Sequence, residues 1–132
     1  MKSKLYFKTS IISICFLILS CSKSDDTANS SISINPPKWI HGTWLSGSAG
    51  FRFEVNDFIT ITSGTEISYK EQLEFYKETG EETFAEETKT DESYRLKLTF
   101  PPGQSIKYEF SKKSETVIVW ENQTFKPEFS KQ

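Results

Sequence analysis

Cysteine, histidine and long apolar runs are all scarce in this chain. Its 132 residues include two cysteines and one histidine. A single imidazole without a thiolate partner makes no tetrahedral zinc site, so His41 reads as a polar residue beside a turn and no metal is expected. A Ser-His-Asp set can be assembled only around His41, and no Gly-x-Ser-x-Gly elbow accompanies it. The longest apolar run, TSIISICFLILS at 9–20, has about a dozen residues, short of the ~20 that a permanent membrane helix needs. Cations are also outnumbered. From position 21 onward there are 13 Lys and Arg against 18 Asp and Glu, a net of −5. Nucleic acid binding needs clustered cations, so no nucleic acid partner is expected.

What is present begins at the N-terminus. MKSKLYFK is a basic start, and the apolar run after it has the length of a secretory signal core. It ends in Ile18-Leu19-Ser20-Cys21. That tetrapeptide resembles the bacterial lipobox: a branched apolar residue, a second apolar residue, a small residue, then Cys. The resemblance implies cleavage before Cys21, a diacylglyceryl thioether on its sulfur and a further acyl chain, such as palmitate, on its new amino group. Each buried CH₂ is worth about 0.8 kcal/mol, so one chain holds a protein marginally and two or more hold it firmly. Residues 1–20 are therefore expected to be a lipoprotein signal peptide. Cys15 would leave with it, and Cys21 alone could form no internal disulfide.

Residues 21–35 are rich in Ser, Asp and Asn with almost nothing to bury, and read as a flexible tether. Lys23, Asp25 and Asp26 resemble the acidic export signal of surface lipoproteins in Bacteroidota, which implies the outer face of the outer membrane. A solvated linker facing the periplasm is the alternative.

From Pro36 to Gln132 the pattern is that of one β domain. FRFEV sets Phe51, Phe53 and Val55 on one face, and SYRLKLTF sets Tyr94, Leu96, Leu98 and Phe100 on one face, the period of two of a half-buried strand. Asn56-Asp57 reads as a turn, FITIT as the next strand, and PPG at 101–103 as a stop. SIKYEF turns Ile106, Tyr108 and Phe110 inward. TVIVW, apolar on both faces, suits a central strand, and QTFK a last one. SYKEQLEFYKETG breaks the alternation. Tyr69, Leu73 and Tyr76 make a helical stripe, Ser68 with Glu71 has the form of a capping box, and Gly80 follows as a C-terminal stop. About six to eight short strands and one short helix, joined by short loops, predict a mainly β fold: an antiparallel up-and-down meander curled into a small barrel.

PKWIHGTW at 37–44 carries a second resemblance. Gly42-Thr43-Trp44 is similar to the Gly-x-Trp that opens the first strand of lipocalin-like barrels, with PPKWI as the helical turn that plugs one end. The resemblance implies a basic side chain near the final strand stacked on Trp44, and Lys126 is the candidate. Lipobox, acidic tether and this motif together resemble the small lipocalin-like lipoproteins of Bacteroidota. The domain holds nine Phe, three Trp and four Tyr. At some 150–250 Å² buried by each, these rings would fill an interior so small, so a packed core is expected over a roomy cavity.

The acidic run at 77–92 (Glu78, Glu81, Glu82, Glu86, Glu87, Asp91 and Glu92) lacks EF-hand spacing and crowds one segment, so it reads as a solvated face that keeps a strand edge from pairing. Trp39, Trp120 and Phe129 do not fit one inward face. They form either a surface patch for a glycan or protein, or packing at the barrel ends. No set of residues converges on catalysis, and no cofactor is implied. The expected function is a membrane-anchored, non-enzymatic binding domain for a small hydrophobic ligand, a glycan or a protein. The alternative is an inhibitor of a secreted hydrolase, protease or lysozyme in type, with NPPKWI as its inserting arm.

Overall fold

The structure is a computed structural model that describes residues 33–132. The expected signal peptide at 1–20, Cys21 and most of the tether lie outside the described residues. Within them the chain forms nine strands and one α-helix. A 3₁₀ turn, Lys38–Ile40, leads into β1 (Gly42–Ser46), β2 (Ala49–Phe53), β3 (Phe58–Thr62) and β4 (Thr65–Ser68). Helix α1 (Tyr69–Glu78) follows, then β5 (Phe84–Lys89), β6 (Ser93–Phe100), β7 (Gln104–Lys112), β8 (Val117–Trp120) and β9 (Glu128–Lys131).

All neighbours are antiparallel, in the order β4-β3-β2-β1-β9-β8-β7-β6-β5. The meander returns on itself, because β9 pairs with β1 through Trp44↔Lys131 and Leu45↔Ser130. Among the described residues the edges of β4 and β5 stay unpaired, so the sheet curls into a half-barrel with α1 as the link between its two ends. This is the expected mainly β meander, with nine strands rather than six to eight; β4 is a four-residue strand that a helix follows without a loop.

Period-two alternation puts Trp44, Phe51, Phe53, Phe58, Tyr94, Leu96, Leu98, Tyr108 and Phe110 into one core with Ile118 and Phe129. Phe51 is its hub. It meets Phe110 at 4.9 Å, Trp120 at 5.0 Å and Phe129 at 4.9 Å between ring centroids, all edge to face. Each such contact is worth about 0.5–1.5 kcal/mol beyond area burial. Gly50 lets β1 and β2 approach: a Cβ there would stand 2.1 Å from the carbonyl oxygen of Trp44.

Ser68 caps the helix as expected, with the Glu71 amide donating to Ser68 Oγ at 3.1 Å, the N-cap half of the capping box. Asp57, expected only as a turn residue, adds to this cap. Its carboxylate accepts from the amides of Phe58 (2.7 Å) and Lys70 (3.0 Å) and from Ser68 Oγ (2.6 Å). It thereby ties the start of β3 to the positive end of α1. Tyr69 and Leu73 are the buried helix residues, and Tyr69 stacks on Phe58 at 5.5 Å.

Four expectations differ from what forms. Val55 is exposed, because β2 ends at Phe53 and the chain bends before β3. Ile106 is also exposed, near the start of β7. QTFK is no strand: Lys126 has φ 42° and Phe125 projects into solvent, and the last strand starts at Glu128. The packed body begins before Pro36, since Ile34 is buried in the core and the Asn35 amide donates to Glu87.

Candidate functional site

The Gly-x-Trp segment opens β1 just after the 3₁₀ turn whose Ile40 is buried in the core. Gly42 has φ 119°, a region that L side chains rarely adopt, and a Cβ there would sit 3.0 Å from Lys131 Cε. Thr43 offers its carbonyl to the Gln132 amide at 2.9 Å. Trp44 is buried and donates Nε1–H to the Ile40 carbonyl at 2.7 Å. The cation over its ring is Lys131, with Nζ 5.1 Å from the centroid. Lys126 pairs instead with Glu121 at 2.9 Å. The correction follows from register: Lys131 stands opposite Trp44 on β9, while Lys126 falls in the turn before that strand.

His41 is held by a ring nitrogen against the Pro36 carbonyl at 2.8 Å, within the same turn. The acidic run is mostly exposed, with one exception. Glu87 accepts from the Tyr94 hydroxyl at 2.6 Å and the Asn35 amide at 2.7 Å, and Lys89 pairs with it at 3.1 Å. Burial and this carboxylate push the Tyr94 phenol well above its ordinary range. Burial does the same to Tyr108, aided by its 2.6 Å bond to the Tyr69 hydroxyl. Among the described residues, no three His, Cys, Asp or Glu side chains stand close enough to hold a metal ion.

Rings line much of the concave face, and a cup opens where they give way. Following the inner face from Phe51 back to Ala49, and from Phe58 forward to Thr60 and Thr62, the aromatic side chains give way to small ones. The register aligns these positions, Phe51 opposite Thr60 and Ala49 opposite Thr62. The result is a cup of about 230 Å³. Phe51, Tyr108, Trp120 and Phe129 floor it, and Ala49, Thr60 and Thr62 stand at its rim. Trp120 packs against the core while lining the cup, and its Nε1 is buried with no hydrogen-bond partner among the described residues. A floor of ring faces suits a small ligand with one flat apolar side.

Phe129 is buried, and Trp39 lies against the core with its Nε1–H on the Thr90 carbonyl at 2.9 Å. Those two and Trp120 therefore pack the half-barrel, and the aromatic rings most open to solvent are Phe75 and Phe125. The sequence carried the signal for the cup: alternation continues past the last ring on β2 and β3, but in small side chains. Lys131 and Glu87 gave no such sign, because each is one charge among many until register is known.

Compared with known protein families, with curated proteins and with solved structures, the chain finds no match in any of the three.

Proposed function

We infer that this chain is a lipid-anchored binding protein of the lipocalin-like lipoprotein type. Cys21 carries the lipid, the outer membrane holds it, and the half-barrel is displayed at the cell surface. The domain is non-enzymatic and takes a small ligand in the cup. The lipobox and the Lys-x-Asp-Asp segment support the location. The single observation that carries the binding reading is the aromatic floor of that cup. At about 230 Å³ the cup suits one sugar ring or one aromatic ring, below the ~300–1,000 Å³ of drug-sized sites. The inhibitor reading needs a projecting arm. Pro36 and Ile40 are buried and His41 is tied back to Pro36, which favours the ligand reading.

Titration of tryptophan fluorescence in the full-length protein tests this, with benzyl alcohol and methyl β-glucoside as probes of the two ligand classes. A saturable change with one of them, abolished by Thr60→Phe, which fills the cup, is expected. No change with either, or binding that survives Thr60→Phe, would remove the cup as the site.

A further inference from the structure

Among the described residues β4 is a free edge of the sheet, paired with β3 and with no other strand. The two-residue turn Ser63-Gly64 closes the β3–β4 hairpin on Thr62 and Thr65. In an antiparallel ladder bonded and non-bonded pairs alternate, so Thr65 and Ile67 face β3 while Glu66 turns its N–H and C=O to the open side. Between this edge and α1 lies a groove of about 480 Å³.

Ile67, Phe75 and Tyr76 give the groove its apolar surface. Glu66 and Glu71 line it, and no basic side chain does. On the helix, positions 68, 71, 72 and 75 recur at three and four, a second stripe beside the one that Tyr69 and Leu73 bury. Phe75 is 62% exposed and Ile67 43%, so neither is needed to hold α1 on the sheet. Glu66 is fixed by two bonds to Arg52, at 2.8 and 2.6 Å, which leaves Glu71 as the carboxylate open to a partner.

We propose that this groove docks an extended, basic segment of a partner protein as a short added strand on β4. An apolar side chain of that segment lies against Phe75 and Ile67, and a lysine or arginine meets Glu71. Backbone pairing supplies affinity and alternate side chains supply selectivity, as in other strand-addition interfaces. Charge argues against a second copy as the occupant. Pairing two β4 edges would bring Glu66 and Glu71 toward the same residues of the other copy, and like charges across a pairing are destabilising.

The test is fluorescence anisotropy of the full-length protein with a labelled, blocked peptide alternating Lys and Val over three repeats. Saturable binding is expected, weakened about tenfold or more by Phe75→Ala and by Glu71→Lys. Thr60→Phe, which fills the cup, leaves it unchanged. Phe75→Ala retains its melting temperature, since the ring is largely in solvent. No binding up to about 1 mM, equal binding by Phe75→Ala, or equal binding of a Glu-Val peptide overturns the proposal. So does a dimer in sedimentation that Phe75→Ala dissociates, which would assign the groove to a second copy.

Discussion

Lys131 and Trp44 face each other across β1 and β9, where the meander returns to its start, with the ammonium 5.1 Å from the indole centroid. Cation–π contacts at open sites are worth about 0.5–1 kcal/mol, whereas an exposed ion pair such as Lys126–Glu121 is worth about 0–1 kcal/mol and often nothing measurable. Lys131→Met therefore lowers stability by about 0.5–1 kcal/mol, and Lys126→Met changes it less. Trp44→Ala costs far more, about 3–5 kcal/mol, the range for a buried large aromatic. Chemical denaturation of the three variants checks the order. A larger loss for Lys126→Met than for Lys131→Met would contradict it.

Asp57 joins three donors from three elements, so its removal strands all of them. Asp57→Ala is expected to cost at least about 2 kcal/mol, and Ser68→Ala about 1 kcal/mol as a lost helix cap. Because Ser68 Oγ donates to Asp57 and accepts from Glu71, the double variant loses less than the sum. Additive losses in a double-mutant cycle would show that the two act separately.

Both ends of the pH range have a defined sign. Tyr94 and Tyr108 titrate above the ordinary phenol range in the folded protein, chiefly through burial. The unfolded chain releases those protons near pH ~10, so the stability they contribute is complete below that value and lost as pH rises past it. Tyrosinate absorbance from these two rings should appear together with unfolding rather than before it. At the acid end, Ser111 and then Lys126 hold the Glu121 carboxyl below its usual range, and Arg52 does so for Glu66. Their contribution is present above the ordinary value of 4.5 and lost as pH falls through the lower folded value. Glu121→Gln should flatten the acid limb; an unchanged limb would exclude Glu121 as a contributor.

The proposed membrane attachment through Cys21 makes a separate prediction. Cys21→Ala should release the protein from membranes, and Asp25→Ala with Asp26→Ala should protect it from protease added to intact cells. Retention of the Cys21→Ala protein in the membrane fraction, or equal shaving of the Asp variant, would count against the anchor and the surface address respectively.

Local rules made much of the fold legible. Alternation located Phe51, Phe53, Tyr94, Leu96, Tyr108 and Phe110, and the Ser68–Glu71 spacing located the helix start, because both depend on neighbours in sequence. Register was not legible. It decides that Lys131 rather than Lys126 reaches Trp44, and that Glu87 turns inward to Tyr94 while Glu86 stays out on Lys97. Val55 looked like a third inward residue only because the end of β2 is set by its pairing with β3. The cup lay in the same pattern, in Ala49, Thr60 and Thr62, but small residues on an inner face signal a cavity only once the opposing wall is known.

The binding account is tested most directly at the Trp120 indole. In a proton–nitrogen correlation spectrum of the full-length protein, with the Trp120 resonance assigned by Trp120→Phe, titration with the ligand class selected by fluorescence should shift that N–H signal saturably as the ligand settles against the indole ring. The Trp39 and Trp44 signals, already bonded to Thr90 and Ile40, should stay in place. A Trp120 signal that does not move while the ligand binds would contradict the account.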